Sequence, residues 1–241
     1  MNFYAEDLDR IKDACPYIFG SSASAQDGRT VADSTALGVL WATQACLGHL
    51  DGSEDLHGRT IVVQGLGGVG GSLARQLTEA GAIVKACDLD ADRIAALTTA
   101  HAVEVIPPEA ALSTPADVLA PCAAGGVLTA ETAGALPVRI VAGCANDQLA
   151  DPWAADALSA AGVLYAPDFV ANSGGVVHCL CVESLGMSSP EVLARIARIG
   201  DTLREVFELA RSRSISTAAA AEELAARRLE HVSRQSPPAR R

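Results

Sequence analysis

The chain has 241 residues, 49% hydrophobic but only 4% aromatic, with a formal net charge of −11. That length allows one large domain or one and a half ordinary ones, and the apolar content suffices for an Ala/Val/Leu-packed core. The charge argues against nucleic acid or an anionic membrane as partner, and no apolar run approaches the ~18 residues of a membrane span.

The opening Met1–Asp7 has neither the basic nor the apolar region of a secretory signal. A helix is expected near Glu6–Cys15, then a Ser/Ala/Gly stretch, Gly20–Gly28, that reads as a mobile loop. Asp33 or Ser34 can cap a helix running to about Leu47, with Leu37, Leu40, Trp41 and Cys46 at helical spacing. Strands at 60–64, 83–87, 103–105, 117–120, 138–142 and 163–165 then alternate with helices at 69–80, 91–100, 129–135 and 151–161. Such alternation implies parallel βαβ units with right-handed crossovers, hence an α/β, doubly wound, Rossmann-like sheet. From Asn172 onward the pattern is helical, at 172–185, 189–212 and 216–230. The expected organisation is an N-terminal helix and loop (1–33), a dinucleotide-binding domain (34–186), a C-terminal helical segment (187–235) and a disordered tail (236–241). The seven cysteines show no framework spacing, and Cys179-Leu180-Cys181 lacks a second ligand pair. No metal is therefore expected, and the thiols read as reduced, in a cytoplasmic protein.

The run Thr60-Ile61-Val62-Val63-Gln64 leads directly into Gly65-Leu66-Gly67-Gly68-Val69-Gly70. A second apolar run, Ile83–Cys87, ends at Asp88. Three spaced glycines alone are weak evidence, but a strand before, a helix after and an acid about 20 positions on form a dinucleotide signature. Gly65 permits the tight turn, Gly67 lets backbone approach a pyrophosphate, and Gly70 allows helix to pack closely on strand. The helix N-terminus adds free N–H donors and a positive dipole. Asp88 would accept hydrogen bonds from a ribose diol and repel a 2′-phosphate, and Asp90 adds negative charge, so NAD is expected over NADP. Leu89 adjoins this site. Arg93 is expected on the solvent face or against the adenine, with an answering role to a 2′-phosphate as the alternative. A glycine turn without a ligand is the other reading of the loop.

Four further segments extend the pattern: Thr35-Ala36-Leu37-Gly38-Val39, Ala120–Gly126, Val141–Leu149 and Tyr165–Gly175. With the glycine loop and the later run Ile199–Glu208, they resemble the Glu/Leu/Phe/Val dehydrogenase family, and phenylalanine dehydrogenases most of all. The resemblance covers nearly the whole chain from about residue 6 and implies roles position by position. Thr35 matches the threonine that bonds the nicotinamide carboxamide, and Cys122 and Ala123 match the loop passing the adenosine ribose. Ala145 and Asn146 fall in the turn that reaches nicotinamide ribose and substrate, and Asn172 matches the asparagine beside the nicotinamide. Each is expected at the carboxyl end of a strand, facing the topological switch point. For any single Asn the alternative is a turn residue bonded to its own backbone.

The chain also departs from the family. Asp147 follows Asn146 where the family has a neutral residue; a carboxylate there would repel an α-carboxylate and welcome an ammonium or imine, or it could simply cap the next helix. His178 matches a histidine of phenylalanine dehydrogenases, which implies a place in the pocket wall ahead of acid–base catalysis. The resemblance further implies an N-terminal half with a Gly-rich segment, two lysines and an aspartate. Only Lys12 and Lys85 occur here, neither in such a context. Arginine is no substitute, because it does not deprotonate. Three readings follow. The chain is the cofactor half of an amino-acid dehydrogenase whose catalytic half is a separate polypeptide; or it is an enzyme in its own right, a dehydrogenase or imine reductase transferring hydride to or from a different substrate with Asp147, His178 or Asn146 as polar groups; or it is a non-catalytic NAD-binding or interaction protein. Leu203, Val206, Phe207, Leu209 and Leu224 have no evident partner domain, so exposed apolar surface and a homo- or hetero-oligomer are expected.

Overall fold

The computed structural model describes residues 5–15 and 17–235. The tail expected to be disordered, 236–241, lies outside the described residues. Six strands, β1 (Thr60–Gln64), β2 (Ile83–Cys87), β3 (Val103–Val105), β4 (Val118–Pro121), β5 (Ile140–Val141) and β6 (Leu164–Tyr165), form one sheet. Their order is β3-β2-β1-β4-β5-β6, and every neighbouring pair is parallel. The direction of progression reverses between β1 and β4, which creates the crevice where doubly wound sheets bind ligands.

Register follows from the pleat. Val118 and Ala120 of β4 face one core with Ile140 and Ala142, whereas Leu119 and Val141 face the other. β5 is shorter than the apolar run 138–142 suggests. The Ala142 N–H donates to the Leu119 carbonyl at 3.0 Å, but Pro121, the next β4 residue turned toward β5, has no N–H to extend the ladder.

Between the strands lie α3 (Gly68–Glu79), α4 (Ala91–Ala100), α5 (Ala130–Ala135) and α6 (Ala154–Ala160). The first helix, α1, is Ala5–Lys12; two long helices, α2 (Val31–Asp51) and α9 (Ser189–Arg213), cross one face of the sheet, and α10 (Thr217–Gln235) follows α9. The cap of α2 is Thr30: its hydroxyl accepts the Asp33 N–H at 3.1 Å, while the Asp33 carboxylate accepts the Thr30 N–H at 3.0 Å. Asp33 is thus the third helical residue of a capping box and not the cap itself. Its other oxygen accepts Ser72 Oγ at 2.6 Å and Arg75 Nη2 at 3.0 Å, linking α2 to α3.

Two expectations are corrected. Leu203 and Val206 are fully buried, Phe207 nearly so, and Leu209 and Leu224 half-buried, because α9 packs on α2 and shares its core. The C-terminal helices therefore do not present those residues as a free apolar face. The Gly20–Gly28 stretch is not a free loop either. It forms a one-turn helix, Ser22–Ser24, with Ser21 and Ser24 buried. Among the described residues, no helix is long and apolar enough to cross a membrane.

Candidate functional site

The crevice at the switch point is a cleft of about 1720 Å³, larger than the ~300–1,000 Å³ typical of a single small-molecule site. Its floor is the glycine loop. Gly65 leaves β1 at φ +96°, and a Cβ there would strike the backbone of Ala123 at 2.9 Å. A side chain on Gly70 would run into the Gly65 carbonyl oxygen, so turn and helix can approach only as glycines. Above Gly67 the space is open, the nearest atom to an added Cβ being Arg93 Nη1 at 3.8 Å. Gly67 caps α3 without a side chain, so the first-turn N–H groups have no intrahelical acceptors and stand ready for an anion.

Asp88 closes one side. Its Oδ2 accepts the Leu66 N–H at 2.5 Å, and its Oδ1 accepts the Asp90 N–H at 2.9 Å. Burial pushes its pKa up, but these backbone donors and the nearby Arg93 outweigh that and hold the carboxyl below its ordinary range. Arg93 lies 3.8 Å from Asp88 and 3.2 Å from Asp90, so two carboxylates already match its charge. It is the only Lys or Arg lining the cleft among the described residues. Lys12 instead pairs with Glu183, and Lys85 with Glu104.

The far end is built on α7 (Asp168–Ala171), α8 (Gly174–Cys179) and the start of α2. Gly174 and Gly175 meet Ser34 and Thr35 so closely that a Cβ on either would collide with them. Asn172 follows α7 and donates from Nδ2 to Asn146 Oδ1 at 2.7 Å and to the Cys144 carbonyl at 3.3 Å. Thr35 stands on α2 and not at a strand end; its hydroxyl donates to the Val31 carbonyl at 2.9 Å, leaving its lone pairs available. Thr35, Gly65, Gly67, Gly68, Val69, Asp88, Leu89, Arg93, Cys122, Ala123, Asn146 and Asn172 all line this one cleft.

Five candidates do not line it. Leu66 turns into the core, and Gly70 and Ala145 are buried behind the surface. Asp147 is an exposed turn residue at φ +53° whose carbonyl accepts the Gly126 N–H at 2.7 Å. It caps nothing, since α6 begins only at Ala154. His178 is 1% exposed, its Nε2 lying 2.6 Å from the Ser24 carbonyl and its Nδ1 2.7 Å from Ser34 Oγ. A carbonyl only accepts, so Nε2 donates to Ser24, while Nδ1 is held by the Ser34 hydroxyl. His178 is accordingly a tie behind the cleft, neither pocket wall nor available base.

A further wall is formed by Leu8, Phe19, Gly20, Ser21, Ser22, Ser24 and Ala25, which line the cleft together with Val176, Cys179 and Leu180. Glu183 holds this wall: its side chain, 5% exposed, accepts the Gly20 N–H at 2.7 Å, both serine hydroxyls of Ser21 and Ser24, and Lys12 Nζ. Burial raises its pKa, yet Lys12, Ser24 and the Gly20 N–H together hold it below the usual carboxylate range. Cys144, also in the cleft, was not singled out because nothing in the local sequence marks it.

A family profile described as "Glutamate/Leucine/Phenylalanine/Valine dehydrogenase" matches residues 28–96 and 88–236. The leucine dehydrogenase of Geobacillus stearothermophilus is 31% identical over 232 residues, 96% of this chain and 63% of that protein. The phenylalanine dehydrogenase of Bacillus thermotolerans is 36% identical over 200 residues, covering 81% of this chain and 52% of that one. Among solved structures, the L-tryptophan dehydrogenase of Nostoc punctiforme superposes with a TM-score of 0.79 at 33% identity, over 83% of this chain and 61% of the other. The hetero-hexameric glutamate dehydrogenase of Thermus thermophilus gives a TM-score of 0.73 at 26% identity, over 96% and 61%. The chain thus spans roughly three fifths of the length of these relatives, and over that span it belongs to the Glu/Leu/Phe/Val dehydrogenase family.

Proposed function

We propose that this chain binds NAD(H) and forms the cofactor half of an amino-acid dehydrogenase acting on an apolar L-amino acid such as phenylalanine. The observation that carries this reading is the Gly65–Gly70 cradle with Asp88 charged at its rim, in one cleft with Thr35, Asn146 and Asn172. The cradle fits a dinucleotide: open space above Gly67, unpaired first-turn N–H groups and a carboxylate for a ribose diol. When bound, NAD supplies the hydride acceptor for oxidation at the amino-bearing carbon.

The residues of this chain then bind and orient. The α3 N-terminus holds the pyrophosphate, Asp88 the adenosine ribose, and Cys122 and Ala123 pass beside it. Thr35 offers its hydroxyl oxygen to the carboxamide, while the Asn146–Asn172 pair fixes the turn facing nicotinamide and substrate. Val176, Leu180 and Phe19 give an apolar surface for the substrate side chain. Among the described residues no lysine lines this cleft, and its arginine, Arg93, is already matched by Asp88 and Asp90. Lysines from outside these residues complete the reaction in this reading, and the assembly is an oligomer.

NAD is preferred over NADP because Asp88 is charged and Arg93 is already matched by Asp88 and Asp90. Calorimetric titration with NADH and NADPH tests this. The unmodified chain should prefer NADH, and Asp88→Ala should erode the preference by the ~1.5–3 kcal/mol of a charged hydrogen bond, roughly 10- to 150-fold. Equal or tighter NADPH binding by the unmodified chain would overturn the assignment.

A further inference from the structure

The floor of the cleft contains a feature that cofactor binding does not require. β4 and β5 pair as far as Leu119 with Val141, and just beyond them Cys122 and Cys144 bring their thiols within hydrogen-bonding reach of each other. Because side chains alternate along a strand, Cys122 shares its face with Val118 and Ala120, and Cys144 shares its face with Ile140 and Ala142. Those four residues belong to a single core, and both cysteines pack against that same core from the strand ends. Adjacent strands lie about 4.8 Å apart, inside the ~4.4–6.8 Å Cα separation that a disulfide spans. The two cysteines sit past the last ladder pair, with the Cys122 N–H held by the Gln64 carbonyl and the Ala145 N–H by the Pro121 carbonyl.

The rest of the thiol inventory sets this pair apart. Cys46, Cys87, Cys179 and Cys181 are buried, and Cys15 lies on the N-terminal segment. Only Cys122 and Cys144 are both partly exposed and lining the cleft on neighbouring strands. The adjacent Cys122 thiol and burial hold the Cys144 thiol well above its ordinary pKa, so Cys144 stays protonated beside its neighbour.

We propose that Cys122 and Cys144 form an oxidative modification site in the cleft, closing to a disulfide with peroxide as the oxidant. The Cys122 thiolate attacks one peroxide oxygen, the O–O bond breaks, and a sulfenic acid and hydroxide form. The Cys144 sulfur then attacks the Cys122 sulfur, the S–O bond breaks, and water leaves. Two thiols and one hydrogen peroxide give one disulfide and two waters, with both sulfurs oxidised and the peroxide reduced. A dithiol reductant reverses the step. The bridge would draw the ends of β4 and β5 together beneath Ala123 and Asn146, two positions of the cofactor reading on which the consequence for binding rests.

The full chain treated with hydrogen peroxide should lose two titratable thiols, yield a peptide linking Cys122 to Cys144, and recover both thiols on reduction. Cys144→Ser should form no linked peptide and accumulate sulfenic acid at Cys122, trapped by a dimedone-type reagent. Recovery of Cys122 and Cys144 in separate peptides under conditions that oxidise other thiols overturns the proposal, whatever the cofactor proves to be. NADH titration of the same samples is the second reading: affinity should fall at least tenfold on oxidation and return on reduction. Cys144→Ser, compared with its own untreated form, should show no such reversible loss. If the disulfide forms and neither nucleotide binds the reduced chain, the modification site stands and the cofactor reading fails.

Discussion

Replacing Glu183 with glutamine should loosen an entire wall of the cleft. The carboxylate accepts from the Gly20 N–H, from Ser21 and Ser24, and from Lys12. Glutamine keeps the shape but removes the charge and turns an N–H₂ group toward these donors, so at least one buried donor loses its acceptor. Converting charged hydrogen bonds to neutral ones costs about 1 kcal/mol each, and an unsatisfied buried group about 1–3 kcal/mol. Lys12 is 35% exposed, so its ion pair adds under ~1 kcal/mol. The expected loss is ~3 kcal/mol, or roughly 6–12 °C in midpoint for a domain of this size. Thermal and urea denaturation measure it, and limited proteolysis locates it: cleavage should appear between Gly20 and Gly28, a stretch held in the unmodified protein. The contribution also depends on pH. Since the folded carboxyl titrates below its ordinary value of 4.5, the stabilisation is fully present above that value. It declines as pH falls through the lower folded value, and the glutamine variant should lack this acid-side loss. Unchanged stability together with unchanged protease resistance would refute the assignment of Glu183 as the anchor.

Gly70→Ala should abolish nucleotide binding and destabilise the fold by roughly 1–3 kcal/mol, because its Cβ meets the Gly65 carbonyl and not a yielding side chain; NADH fluorescence and a melting curve report the two effects. Phe207→Ala should cost ~3–5 kcal/mol by opening a cavity between α9 and α2, where Phe207 is 2% exposed and 5.0 Å from the His49 ring; a loss under 1 kcal/mol in urea would contradict the packing. The isolated 241-residue chain should oxidise L-phenylalanine far below a family-like rate, since a positioned base alone contributes ~10²–10⁴-fold. Robust NADH production by the purified chain would refute the reading that it is only the cofactor half.

Local pattern reached the cofactor side of the molecule. β1, β2, β3 and α4 fall where apolar runs and turn residues place them, and the glycine loop and Asp88 meet as their spacing implies. What the sequence concealed depends on contacts between distant positions. Nothing near Gly20 reveals that its N–H finds Glu183, 163 residues away, so a Ser/Ala/Gly segment read as mobile. His178 matched a pocket residue, yet its ring is held by Ser24 and Ser34, whose approach depends on α8 packing glycine-to-backbone on α2. Leu203, Val206 and Phe207 looked unpartnered because α2, their partner, lies some 160 residues earlier. Asp147 illustrates a subtler limit: a residue type suited to a helix cap stands in a turn, at a positive φ that Asp tolerates.

The double engagement of Asp33 determines where this molecule is stiff. One oxygen closes the first turn of α2, and the other grips Ser72 and Arg75 on α3, while its backbone carbonyl accepts Gln76 Nε2 at 3.1 Å. Thr35 lies on α2, and Gly68–Gly70 open α3, so both ends of the proposed dinucleotide bed ride on helices fastened to each other before any ligand arrives. Such a bed needs little reorganisation to receive its occupant, which lowers the entropic cost of binding. The wall carrying Phe19 and Ser21–Ser24 hangs from a different carboxylate on a different element. The two sides of the cleft are therefore fixed independently, so a change at Glu183 alters that wall and leaves the nucleotide bed preset.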